Sequence, residues 1–81
     1  MLIKEAIVIR FQELCRDKNI KKNELATICG VTPSTVYSMM DSRRKDLPVI
    51  TVKKLCDGLD ISIKEFFDSD LFSDELEQEI Q

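Results

Sequence analysis

At 81 residues, with three cysteines, two glycines, two prolines and no histidine, the chain reads as one small domain, helical rather than turn-rich. Its net charge of −3 hides a division. All twelve bases fall in residues 1–64 against eight acids, whereas residues 65–81 hold seven acids and no base, so the body is basic and the tail acidic. Cys15, Cys29 and Cys56 have no CxxC spacing, which excludes a four-ligand zinc site from one chain and speaks against a disulfide framework. No stretch is long enough to span a membrane, and no signal peptide precedes Met1-Leu2-Ile3-Lys4, so the expected location is the cytoplasm. A domain this small also gains from dimerising.

Residues 4–18 place Ile7, Phe11, Leu14 and Cys15 on one helical face. Val8 and Ile9 fall off that stripe, and the β-branched run lowers helix propensity. Either the first turns are ragged or these two residues meet a partner subunit. Asn19 suits the left-handed closing position, and Ile20 turns into the core. A second helix begins around Lys21-Lys22-Asn23, either capped by Asn23 or uncapped. Leu25 and Cys29 point inward one turn apart, Ala26 permits a close crossing, and Gly30 ends the helix left-handed. Thr32 then caps a third helix with Pro33 at its first position. Val36 and Met39 turn inward, which leaves Ser34, Tyr37, Ser38 and Asp41 on the opposite face. Two short helices joined by so tight a corner make a helix-turn-helix.

Beyond it, Arg43-Arg44-Lys45 forms a basic loop that Pro48 keeps from becoming helical. Thr51 is the expected cap of a fourth helix with Val52, Leu55, Cys56 and Leu59 inward. Asp60 can take the left-handed conformation. Ser62-Ile63-Lys64-Glu65 is a capping box with an Ile61–Phe66 staple, which predicts a short fifth helix. In residues 68–81, Leu71, Phe72, Leu76 and Ile80 recur at helical spacing, and Ser73-Asp74-Glu75 suits a helix start. The apolar side of this tail either folds back on the body or binds another chain; left unbound, the tail is equally expected to be disordered.

The pattern Leu25-Ala26, Cys29-Gly30-Val31, Val36 and Met39, with the run from Pro48 to Cys56, resembles the Cro/phage-repressor-like (XRE) helix-turn-helix family over roughly residues 4–67. The resemblance implies an all-α, five-helix DNA-binding domain at residues 1–67 and an acidic amphipathic tail at 68–81. It implies a small transcriptional regulator, a repressor by expectation, binding double-stranded DNA as a homodimer. Base contacts carried over from the family fall on Pro33, Ser34 and Ser38, with Tyr37 on the same face. Pro33 cannot bond a base edge, so discrimination is expected from the other three and from DNA shape. Phosphate contacts are expected from Lys22, Thr32, Thr35, Arg43, Arg44 and Lys45. Members sometimes pair Arg with Glu where this chain has Cys15 and Met40, so an apolar contact is expected there. The family also includes antitoxins that neutralise a partner protein, which makes the acidic tail a candidate protein-binding segment.

Each singled-out feature has a plainer reading. A basic triplet is by default a solvated loop, and Ser34 and Ser38 are ordinary surface serines unless a helix carries them to a ligand. The cysteines read as core hydrophobes. No Gly-rich phosphate loop, histidine or paired carboxylate in an apolar setting supports turnover. No enzyme activity, cofactor, metal or small-molecule substrate is therefore expected.

Overall fold

The computed structural model describes residues 1–73 and 76–80. They form five helices: α1 (Ile3–Asp17), α2 (Lys22–Cys29), α3 (Pro33–Met40), α4 (Val49–Gly58) and α5 (Ile63–Phe67). A 3₁₀ turn at Asp70–Phe72 follows, and no strand occurs among the described residues.

Three of the helices stop by one device. Asn19 (φ 55°), Gly30 (φ 68°) and Asp60 (φ 59°) are left-handed. The next residue's N–H then reaches back five residues to a carbonyl: Ile20 to Cys15 at 2.8 Å, Val31 to Ala26 at 3.1 Å, Ile61 to Cys56 at 3.0 Å. Each reversing residue is apolar and packs against the core, so the turn that satisfies the helix end also delivers a side chain inward.

The helix starts are less uniform. Lys21 precedes α2 without any side-chain cap, so Asn23 does not serve. Thr32 caps α3 as expected, its hydroxyl accepting the Thr35 N–H at 3.3 Å with Pro33 next in line. The cap expected at Thr51 is corrected. Pro48, extended at φ −62° and ψ 135°, precedes the helix, and Thr51 lies in its first turn with its N–H on the Pro48 carbonyl at 3.0 Å. Proline's ring pre-sets φ for helix entry, so the helix begins directly after it without a hydroxyl. Ser62 caps α5, accepting the Glu65 N–H at 2.9 Å.

One core joins all five helices. Phe11, Leu25, Val36, Leu55 and Phe66 are almost wholly buried, Met39 and Leu59 nearly so, and Cys29 packs on their edge. Phe11 and Phe66 meet with ring centroids 4.4 Å apart, tying α1 to α5; burial of each ring contributes about 1.5–3 kcal/mol. Arg10 adds a polar tie, donating Nε to the Phe66 carbonyl at 2.7 Å and Nη2 to the Glu65 carbonyl at 3.0 Å. Gly58 allows α2 to approach α4, since a Cβ there would stand 2.2 Å from the Cys29 sulfur. Burial raises the pKa of all three thiols, that of Cys56 to about 11, so they are protonated packing groups at neutral pH. Cys15 and Met40 line one surface hollow.

The acidic end lies against α1. Phe72 packs edge-on against Phe67 and tilted against Phe66, with ring centroids 4.8 and 5.9 Å away. Residues 76–80 carry no regular secondary structure. Glu77 donates its N–H to the Met1 carbonyl at 2.9 Å, and its carboxylate pairs with the Met1 ammonium at 3.2 Å. The Glu79 carboxylate accepts the Ile3 N–H at 2.8 Å, an anion at a helix's positive end. The helix start expected at Ser73-Asp74-Glu75 falls partly on Asp74 and Glu75, outside the described residues.

Candidate nucleic-acid interface

α2 and α3 form the helix-turn-helix, and Val36 and Met39 anchor α3 by its inner face. That leaves Pro33, Ser34 and Tyr37 exposed, while Thr35 and Ser38 are half-buried. At the N-terminal end the hydroxyls form a neutral cluster. Thr32 Oγ1 lies 2.9 Å from Ser34 Oγ and 3.0 Å from Thr35 Oγ1. Tyr37 leans the other way and donates its hydroxyl to Asn23 Oδ1 on α2 at 3.3 Å.

Along α3, Ser34, Thr35 and Ser38 share an open groove of about 300 Å³ with Arg44, Asp46, Leu47 and Thr51. A cation from the following loop therefore stands beside the polar face of the helix. Arg43 is differently placed. Its Nε and Nη2 donate to the two Asp41 carboxylate oxygens at 3.1 and 3.0 Å, and its backbone N–H also reaches Asp41 at 3.0 Å. Those bonds hold the Asp41 carboxyl down at about 2, below its ordinary 3.8. Both residues stay accessible to water, so this clamp is exchangeable rather than a buried pair.

A helix-turn-helix corner with an exposed polar second helix, flanked by cations, is an arrangement for entering a duplex groove. The model of the Cro/C1-type HTH DNA-binding domain matches residues 10–70. The chain belongs to this family. Its fold is also that of the crystal structure of the prophage Lp1 protein 11, with a TM-score of 0.79 and 33% sequence identity over 86% of this chain and 92% of that one. No curated protein matches the sequence. Among the described residues no helix is long and apolar enough to cross a membrane.

Within this Cro/C1-type domain, the residues singled out from sequence separate into three places. Thr32, Ser34, Thr35, Ser38 and Arg44 gather around the groove-side face of α3. Arg44 and Lys45 border a second cavity against α1. Lys22 lies at the start of α2, in the hollow that Gln12, Cys15 and Met40 line. Sequence reading missed Lys4, which is 6% exposed and donates Nζ to the Asp41 carbonyl at the C-terminal end of α3 at 2.7 Å. A signal existed: Lys4 lies three residues before Ile7 and seven before Phe11, on the inward stripe of α1. It also missed Asn23 as the Tyr37 partner and Asp41 as the holder of Arg43. The Tyr37 contact depends on how α2 folds against α3, which spacing along one helix does not encode, whereas the Asp41–Arg43 turn spans two residues and is a local motif.

Proposed function

We propose that this domain binds double-stranded DNA sequence-specifically, with α3 in the major groove, as a small homodimeric transcription repressor of the cytoplasm, and that it is not an enzyme. The observation that carries this is the polar face of α3 with Arg44 beside it, in a fold of a DNA-binding family. On this reading residues 1–67 are the DNA-binding unit and 68–81 an acidic appendage. Ser34, Tyr37 and Ser38 meet base edges, Pro33 packs at the groove wall, and Lys22, Thr32, Thr35, Arg43, Arg44 and Lys45 meet phosphates.

The short hydroxyls suit single hydrogen bonds and thymine-methyl contacts rather than bidentate readout, so shape carries part of the specificity. Arg43 must exchange Asp41 for a phosphate, whereas the Arg44 side chain makes no hydrogen bond or ion pair among the described residues. Exposed Ile28, Val49 and Ile50 leave apolar surface for a second copy.

Binding-site selection from random duplex DNA, followed by salt titration of variants, tests this reading. Arg44→Ala is expected to weaken operator and scrambled duplex alike and to lower the salt slope by about one unit. Tyr37→Ala or Ser38→Ala is expected to leave the slope alone and narrow the gap between operator and scrambled DNA by about 1–3 kcal/mol. A slope that responds to Tyr37 and not to Arg44 reverses the assignment. Failure to select any site overturns sequence-specific binding.

A further inference from the structure

A half-enclosed cavity of about 190 Å³ lies between the first turns of α1 and the segment that follows α3. Leu2, Val8, Ile9 and Met40 supply apolar wall, and Lys4, Arg44 and Lys45 supply cations. Glu5 also borders it, its carboxylate accepting the Leu2 N–H at 3.1 Å and keeping its charge, so the lining sets three cations against one acid. Arg44 and Lys45 are exposed and solvated. Lys4 is not. It is 6% exposed, its Nζ donates to the Asp41 carbonyl at 2.7 Å, and no carboxylate among the described residues pairs with it. A buried ammonium without a counter-ion is costly. The C-terminal end of α3 offers a partial negative charge of about half an electron, which leaves the rest unneutralised.

We propose that this cavity binds a small aliphatic carboxylate, with its chain against Val8, Ile9 and Met40 and its anion between Lys4 and the Arg44–Lys45 rim. The wall requires an apolar body and the three cations require an anionic end. Size selects among such ligands. A cavity of about 190 Å³ has room for one unbranched chain. Occupancy also has a consequence. The ligand adds one negative charge beside Arg44 and Lys45, to which the proposed function gives phosphates, so it lowers DNA affinity. That consequence rests on the DNA-binding reading; binding of the carboxylate does not.

The test titrates the full chain with octanoate, octanol and acetate in the absence of DNA, following the Val8, Ile9 and Met40 methyl resonances. Octanoate is expected to shift all three. Octanol should bind at least about tenfold more weakly because it brings no counter-ion to the buried ammonium, and acetate should leave the methyls unmoved. Lys4→Met should make octanoate and octanol bind alike. Lys45→Ala, at an exposed position, should weaken octanoate with the fold kept. Unmoved methyls at millimolar octanoate, equal binding of octanol by the parent chain, or an undiminished preference in folded Lys4→Met overturns the proposal. A duplex titration with and without octanoate then separates the two readings. A chain that binds octanoate but no duplex refutes DNA binding and leaves the cavity's ligand standing; a chain that binds duplex but no octanoate does the reverse.

Discussion

The two ends of α3 are held by different chemistry. At the N-terminal end, Thr32, Ser34 and Thr35 satisfy one another through neutral hydroxyls. At the C-terminal end the ties are charged: Arg43 clamps Asp41, and the buried Lys4 ammonium holds the Asp41 carbonyl. Neutral hydroxyls trade one hydrogen bond for another at little net cost, so the N-terminal end can accept a ligand without rearranging. The charged end responds to salt, to pH and to any anion that reaches it. Geometry is therefore set at one end of the helix, and sensitivity to conditions resides at the other.

The largest expected effect comes from removing what both ends share. Met39, 3% exposed, anchors the middle of α3 in the core. Met39→Ala should lower unfolding free energy by about 2–5 kcal/mol, read from urea denaturation. Because both ends ride on the same core, DNA binding should fall only as far as the unfolded fraction rises. A folded Met39→Ala with lost binding would mean that the ends depend on the helix axis more finely than their separate ties suggest.

A smaller effect isolates the N-terminal end. Thr32→Ala removes the side-chain acceptor of the Thr35 N–H and should cost about 1 kcal/mol. Its effect on the salt slope of DNA binding should be small, since no charge is lost. A change of slope comparable to that of Arg44→Ala would show that the two ends are not independent.

The smallest effect is at the charged end. The Asp41 carboxyl is held at about 2 rather than 3.8 by Arg43. A carboxyl depressed in the folded state contributes stability that is complete above its unfolded value, and that contribution is lost as pH falls from about 3.8 through about 2. Asp41→Asn should therefore flatten the acid side of the stability profile in that window: it lacks the contribution at neutral pH and converges with the parent chain as pH falls through about 2. Urea midpoints measured across the window check it, and an unchanged acid limb would mean that Arg43 leaves Asp41 in solution. The same variant should bind nonspecific DNA more tightly at low salt, because Arg43 is released and an acid is gone.

The helix-turn-helix was legible because its signals are local. Gly30 needs a left-handed backbone, Thr32-Pro33 opens a helix, and the spacing of Leu25, Cys29, Val36 and Met39 assigns the inner faces; each is a property of a few neighbouring residues. The left-handed stops at Asn19 and Asp60 were legible for the same reason. Thr51 misled because a hydroxyl ahead of an apolar stripe looks like a cap even when the proline before it has already started the helix. Of the candidate interface, the helix face and the basic loop could be read in the sequence, but not their relation. Arg44 joins Ser38 at one groove while Arg43, its neighbour, turns back on Asp41.

By itself, then, the sequence determined the five helices of the body, where three of them stop and which faces are apolar, because dihedral preference and periodicity act over one or two turns. The helical spacing of the tail did not decide its structure, which is a 3₁₀ turn at Asp70–Phe72 and irregular at residues 76–80. Tertiary structure alone decided that Lys4 of α1 reaches the end of α3, that Arg10 ties down α5, that Glu77 and Glu79 return to the start of α1, and that Gly58 makes room for Cys29. Those contacts join residues far apart along the chain. Their existence depends on how helices cross, and a crossing is set by the whole core rather than by any stretch of residues.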